Sequence, residues 1–177
     1  MTPPLLAAVV SLLGRSGIPC ALIGAAALAV RGVARSTFDL DLFTTDLRTL
    51  DPDAWRSLSD GRVQVAVRRG DADDPLAGVV RVESPDERPV DVIVGRGGWQ
   101  DAIARRADSI DLDGATIPVA RASDLVLLKL YAGGSQDAWD IEQLLAAGDR
   151  DTLVAAVNAD LDFLPRDARA RWRRMAG

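Results

Sequence analysis

Polar and apolar positions change period several times along the chain, and each change marks an element. Residues 5–16 (LLAAVVSLLGRS) repeat apolar positions at helical spacing behind Pro3 and Pro4, and Gly17 ends the run. An apolar strand is predicted over 18–23, and an Ala-rich helix over 24–31 with Gly32 as its C-cap. A second strand is predicted over 39–44 and a short helix over 53–59. Strict alternation then predicts strands over 62–68 (RVQVAVR), 79–83 (VVRVE) and 89–95 (PVDVIVG), separated by polar turns. A helix over 97–107 follows, then a strand pair within 109–119 turning at Asp113-Gly114, whose neighbour Asp111 reads as a turn acid. A helix capped by Ser123 is apolar nearly all round, and further helices are predicted over 135–147, 151–160 and 166–175. This order predicts an α+β fold: a mixed central sheet, flanking helices and a short helical C-terminal section. Residues 1–120 are expected to form the core, and 121–177 the helical section that completes its cleft in one compact unit.

The residues that break these patterns carry the candidate chemistry. Asp39 and Asp41 lie two apart on a strand and so share a face, while Phe38, Leu40 and Leu42 share the other. Two neighbouring anions call for a cation, and a chain with no His and one Cys offers a hard, oxygen-ligated ion such as Mg²⁺. A solvated edge strand gives the same spacing. Gly24 stands where a strand turns into a helix, a geometry that brings backbone N–H groups to a phosphate, although a tight turn alone also asks for Gly. A phosphate-cradling turn followed by an Asp pair suits a nucleoside triphosphate carrying Mg²⁺.

Asp91 interrupts an apolar strand, which reads as a third carboxylate of the same site or as the partner of an Arg. Lys129 lies in the apolar helix. It reads as a stem snorkelling to water or as an ammonium meeting an anion, either the triphosphate or a site carboxylate. Asp140, deeper in its helix than Asp137, is the better candidate to hold Lys129 or a substrate base. Arg35, just upstream of the Asp pair, is placed to meet a carboxylate or a phosphate.

Gly24-Ala25 followed by Arg35-Ser36-Thr37-Phe38-Asp39-Leu40-Asp41 resembles the active-site signature of the polymerase-β-like nucleotidyltransferase superfamily. The Arg-x-Thr-x-Asp-x-Asp form, with Lys129 and Asp140 downstream, is most similar to the AbiEii-like branch, which includes toxins of toxin-antitoxin systems. The likeness spans roughly residues 20–145. Ala25 stands where the superfamily has Gly or Ser, which removes one hydroxyl from the phosphate site. The resemblance implies two Mg²⁺ ions held by Asp39, Asp41 and Asp91. It also implies nucleotide binding by Gly24, Ala25, Arg35, Thr37, Lys129 and Asp140, with Lys129 stabilising phosphate charge. The implied activity is transfer of a nucleoside monophosphate, for example from ATP, to a hydroxyl such as the 3′ end of a tRNA. A cognate antitoxin is the implied protein partner. A non-catalytic nucleotide- or protein-binding module on the same fold is the alternative that Ala25 motivates.

Composition narrows this further. The 177 residues, 48% hydrophobic, suit one domain with a sizeable core. No apolar run reaches the roughly 18 residues of a membrane span, and the start lacks the basic residues of a signal peptide, so a cytoplasmic protein is expected. Lone Cys20 reads as a small buried hydrophobe. A net charge of -5 argues against a generally basic nucleic-acid surface, and Lys129 is the only Lys. The Arg-rich last helix reads as a solvated face.

Overall fold

A computed structural model of the protein describes residues 4–59 and 61–177. Met1, Thr2 and Pro3, including the first of the two prolines ahead of the opening helix, lie outside them, as does Asp60. No helix among the described residues is long and apolar enough to cross a membrane.

The strands are β1 (Ala21–Ile23), β2 (Leu40–Thr44), β3 (Gln64–Arg69), β4 (Gly78–Glu83), β5 (Val90–Val94), β6 (Asp108–Leu112) and β7 (Ala115–Val119). They form one mixed sheet in the order β3-β4-β5-β2-β1-β7-β6. β2 runs parallel to β5 and β1 to β7; the other neighbours are antiparallel. The helices are α1 (Leu5–Arg15), α2 (Gly24–Val30), α3 (Asp101–Arg105), α4 (Ala122–Ala132), α5 (Ser135–Ala147), α6 (Arg150–Asp160) and α7 (Arg166–Ala176). The α+β architecture, with a mixed sheet, flanking helices and a helical C-terminal section, is the one the periodicities predict.

The chain divides into two compact units, residues 1–26 with 36–120 and residues 27–35 with 121–177. In the first, the register lines up Val119, Leu22, Leu42, Val92 and Val80 across β7, β1, β2, β5 and β4. All five are buried. Each such side chain contributes about 1.5–3 kcal/mol by leaving water, and a one-residue slip of any strand would exchange its two faces. The sheet order is therefore pinned by its apolar face, and whatever lies on the opposite face is fixed with it. Cys20 is buried as expected, and burial pushes its thiol up to about 12.

The hairpin between β6 and β7 turns at Asp113 and Gly114, both with positive φ, and Asp111 Oδ1 accepts a hydrogen bond from the Gly114 N–H at 3.1 Å. Four local expectations are corrected. The first strand begins only at Ala21, because Pro19 has no N–H to give a ladder. The helix read over 53–59 is instead a 3-10 turn, Pro52–Trp55, which follows another at Leu47–Leu50; each is capped by an Asp, and the Trp55 indole donates to the Thr49 carbonyl. The helix expected over 97–107 shortens to a 3-10 turn and α3, since Gly97 and Gly98 hold positive φ. The cap of α4 is Arg121 and not Ser123, with no side-chain capping bond.

In the second unit, α4 is enclosed by α5, α6 and α7. Leu125, Val126, Leu127 and Leu130 of α4 are buried together with Ile141, Leu144, Leu153, Val157 and Trp172. The Trp172 indole donates to Asn158 Oδ1 at 2.8 Å, which satisfies the one polar atom of that ring.

Candidate active site

The same register that buries one face of the sheet lines up the polar residues on the other. Ile23 of β1 faces Asp41 of β2, Asp41 faces Asp91 of β5, and Asp91 faces Arg81 of β4. Asp41 and Asp91 thus stand side by side on parallel strands, and Asp39, two residues before Asp41, adjoins them at the strand entrance. Asp39 and Asp91 meet through Arg81: its guanidinium lies 2.8 Å from Asp91 Oδ2 and 3.3 Å from Asp39 Oδ1, while its Nε donates to Glu83 Oε1 at 2.8 Å. Asp41 and Asp91 share one face of the sheet, whereas Asp39, expected on the strand, lies just before β2 and meets Asp91 through Arg81.

The approach to the site is tied down on both sides. Thr37 Oγ1 donates to the Asp39 carbonyl at 2.9 Å, and Arg88 donates to the carbonyls of Thr37 at 2.9 Å and Phe38 at 3.2 Å. Thr37 therefore positions the backbone of Asp39. Gly24, with φ of 65°, closes the turn from β1 into α2, and a Cβ built there would collide with Asp41 Oδ2 and lie 3.1 Å from Asp41 Cγ. Only Gly allows so close an approach to that carboxylate. Ala25 beside it is buried.

Electrostatics follow from burial and neighbours. Burial raises the Asp91 carboxyl above the ordinary range; Arg81 pulls it down, while Asp39 and Glu83 push it up further. Glu83, Asp91 and Asp39 raise the Arg81 guanidinium, against an opposing effect of burial. Asp91 Oδ1 is buried without a hydrogen-bond partner. Among the described residues no group of three or more His, Cys, Asp or Glu is gathered as a ready metal cage, and Asp39 and Asp91 are bridged by the Arg81 guanidinium. The donor set nevertheless fits Mg²⁺: carboxylate oxygens are hard ligands, and Asp91 Oδ1 retains acceptor capacity.

An open cavity of about 360 Å³ is lined by Phe38, Arg62, Arg81, Glu83 and Glu87 among others. Phe38 is 74% exposed there, unusual for a large apolar ring.

Lys129, Asp140 and Arg35 belong to the second unit. Lys129 Nζ lies 2.5 Å from Asp140 Oδ2 and 3.2 Å from Asp137 Oδ1, and Arg35 Nη1 pairs with the same Asp140 oxygen. The Asp140 side chain is fully buried and that of Lys129 12% exposed, so the ammonium meets carboxylates and does not snorkel. Of the two partners open to Arg35, it has taken the carboxylate.

Sequence reasoning passed over Arg81 and Glu83. The signal was present: Arg81 interrupts an apolar strand as Asp91 does, and alternation puts Glu83 on the same face. Their register against Asp91 was not legible. The alternative left open for Asp91, pairing with an Arg, is what this structure contains.

No family model and no curated protein sequence matches the chain. Solved structures do. The antibiotic-resistance factor ANT(2″)-Ia, in complex with adenylyl-2″-tobramycin, matches with a TM-score of 0.56 at 12% identity, over 96% of this chain and 95% of that one. A putative nucleotidyltransferase from Thermotoga maritima matches with a TM-score of 0.53 at 17% identity, over 80% and 91%. The lincosamide antibiotic adenylyltransferase LnuA, lincomycin-bound, gives 0.50 at 14% identity, over 80% and 94%. At such identities the likeness is one of architecture: the chain has the fold of the nucleotidyltransferases.

Proposed function

We propose that the protein is a nucleotidyltransferase that moves a nucleoside monophosphate from a nucleoside triphosphate to a hydroxyl acceptor. The observation that carries this reading is the register of Asp41 against Asp91 on parallel strands, with Asp39 joined to Asp91 through one guanidinium. Asp39, Asp41 and Asp91 are the residues that would hold Mg²⁺. When bound, Mg²⁺ would neutralise triphosphate charge and make the acceptor hydroxyl more acidic.

The chain's own residues do the rest. Thr37 holds the backbone of Asp39, and Gly24 leaves room for the Asp41 carboxylate. Asp91, raised by burial, takes the acceptor's proton as its oxygen bonds to the α-phosphorus; the bond to the bridging oxygen breaks and pyrophosphate leaves.

The cavity lined by Phe38 and Arg81 falls within the size range of small-molecule sites, about 300–1,000 Å³, and the net charge of -5 disfavours a polyanionic acceptor. A small hydroxylated acceptor is therefore our first reading. The antibiotic adenylyltransferases among the structural neighbours accord with it. The Arg35-to-Asp41 signature supports the second, a toxin-like enzyme of the AbiEii type acting on an RNA 3′ end with an antitoxin as partner.

The test is incubation of purified protein with Mg²⁺, each α-labelled nucleoside triphosphate and, separately, total RNA or a panel of aminoglycosides and lincosamides. Label should pass to an acceptor, and Asp41→Asn should lower the rate by about a hundredfold or more. Label on RNA would select the second reading; none on any acceptor or on the protein itself would leave the non-catalytic module that Ala25 motivates.

A further inference from the structure

The arrangement of Arg81 goes beyond a structural salt bridge. Its guanidinium sits between two of the carboxylates assigned to the cation, and it does so with two separate nitrogens, Nη1 on Asp91 and Nη2 on Asp39. The third, Nε, is held by Glu83, which is half exposed and lies two residues along the same strand. Three acidic groups therefore share one monovalent cation, and two of those groups are the ones a divalent ion needs.

We propose that Arg81 is an internal placeholder for the metal: it holds Asp39 and Asp91 together while the site is empty of divalent ions and moves onto Glu83 when one binds. This rests on the reading of Asp39, Asp41 and Asp91 as metal ligands. Two like-charged carboxylates drawn together without a cation repel, so the metal-free protein needs the guanidinium. The same guanidinium repels an incoming cation and occupies Asp91 Oδ2 and Asp39 Oδ1, so metal binding includes the cost of displacing it. Glu83 makes that displacement feasible, because it keeps Nε paired as Nη1 and Nη2 let go. The side chain is 36% exposed, so it has room to swing without unpacking the apolar face.

The experiment uses Mn²⁺ alone, with no nucleotide and no turnover. Its binding to the full chain is followed by the paramagnetic signal of the free ion, for wild type, Arg81→Gln, Arg81→Lys and Asp41→Asn, alongside thermal melts with and without Mn²⁺. Arg81→Gln should bind Mn²⁺ at least about ten times more tightly than wild type, and Arg81→Lys should fall between them. The metal-free Arg81→Gln protein should melt lower than wild type and gain more from added Mn²⁺. If wild type binds Mn²⁺, Asp41→Asn does not, and Arg81→Gln binds within twofold of wild type, the placeholder is overturned while the metal site stands. If no variant binds Mn²⁺, the metal site itself is overturned and the placeholder with it.

Discussion

Gly24 and Gly17 share nearly the same backbone, φ of 65° and 66°, but differ in what surrounds them. A Cβ at Gly17 meets nothing within 4 Å, whereas one at Gly24 runs into the Asp41 carboxylate. Both substitutions by Ala force an L residue into the left-handed region, at a cost of about 1–2 kcal/mol. Only Gly24→Ala also displaces a candidate ligand, and a shift on the order of 1 Å can lower a rate about a hundredfold. Gly24→Ala is therefore expected to lose nucleotidyl transfer, and Gly17→Ala to lose only melting temperature; equal transfer rates in the two variants would separate Gly24 from the site. Sequence alone singled out Gly24, but for a phosphate. Its contact with Asp41 became visible only when β1 and β2 were paired, because the 16 residues between them hide the register.

At the level of elements, α4 and α5 show how a buried charge is accommodated. Lys129 on α4 and Arg35 both converge on Asp140 of α5, whose Oδ1 is buried without a hydrogen-bond partner. Removing the carboxylate leaves Lys129 with Asp137 alone and takes from Arg35 its buried partner, so Asp140→Asn is expected to destabilise the protein by about 3 kcal/mol in urea unfolding. Lys129→Met leaves Asp140 paired with Arg35 and should cost about half as much. The double variant should be less destabilised than the sum of the two. Strict additivity would mean that Lys129 and Asp140 do not depend on each other. Lys129 and Asp140 were legible as partners from helical spacing and from the oddity of one Lys in an apolar run. Arg35 was not, since 105 residues separate it from Asp140 and no periodicity spans that distance.

At the scale of the whole molecule, the helical unit is discontinuous: residues 27–35 belong with 121–177. That segment brings the buried Leu28 and the Arg35 partner of Asp140. A fragment of residues 121–177 lacks both and is expected to melt without a cooperative transition by circular dichroism; a cooperative melt would show that α4 to α7 suffice alone. The sequence by itself determined the type of nearly every element, because helices and strands place apolar residues at different periods, and it determined which polar residues break those periods: Asp39, Asp41, Asp91, Lys129 and Asp140. Only the tertiary structure decided which of them meet. Strand register and the packing of distant segments depend on contacts between residues far apart in the chain, so local spacing carries no record that Asp91 stands beside Asp41 or that Arg81 stands between Asp39 and Asp91.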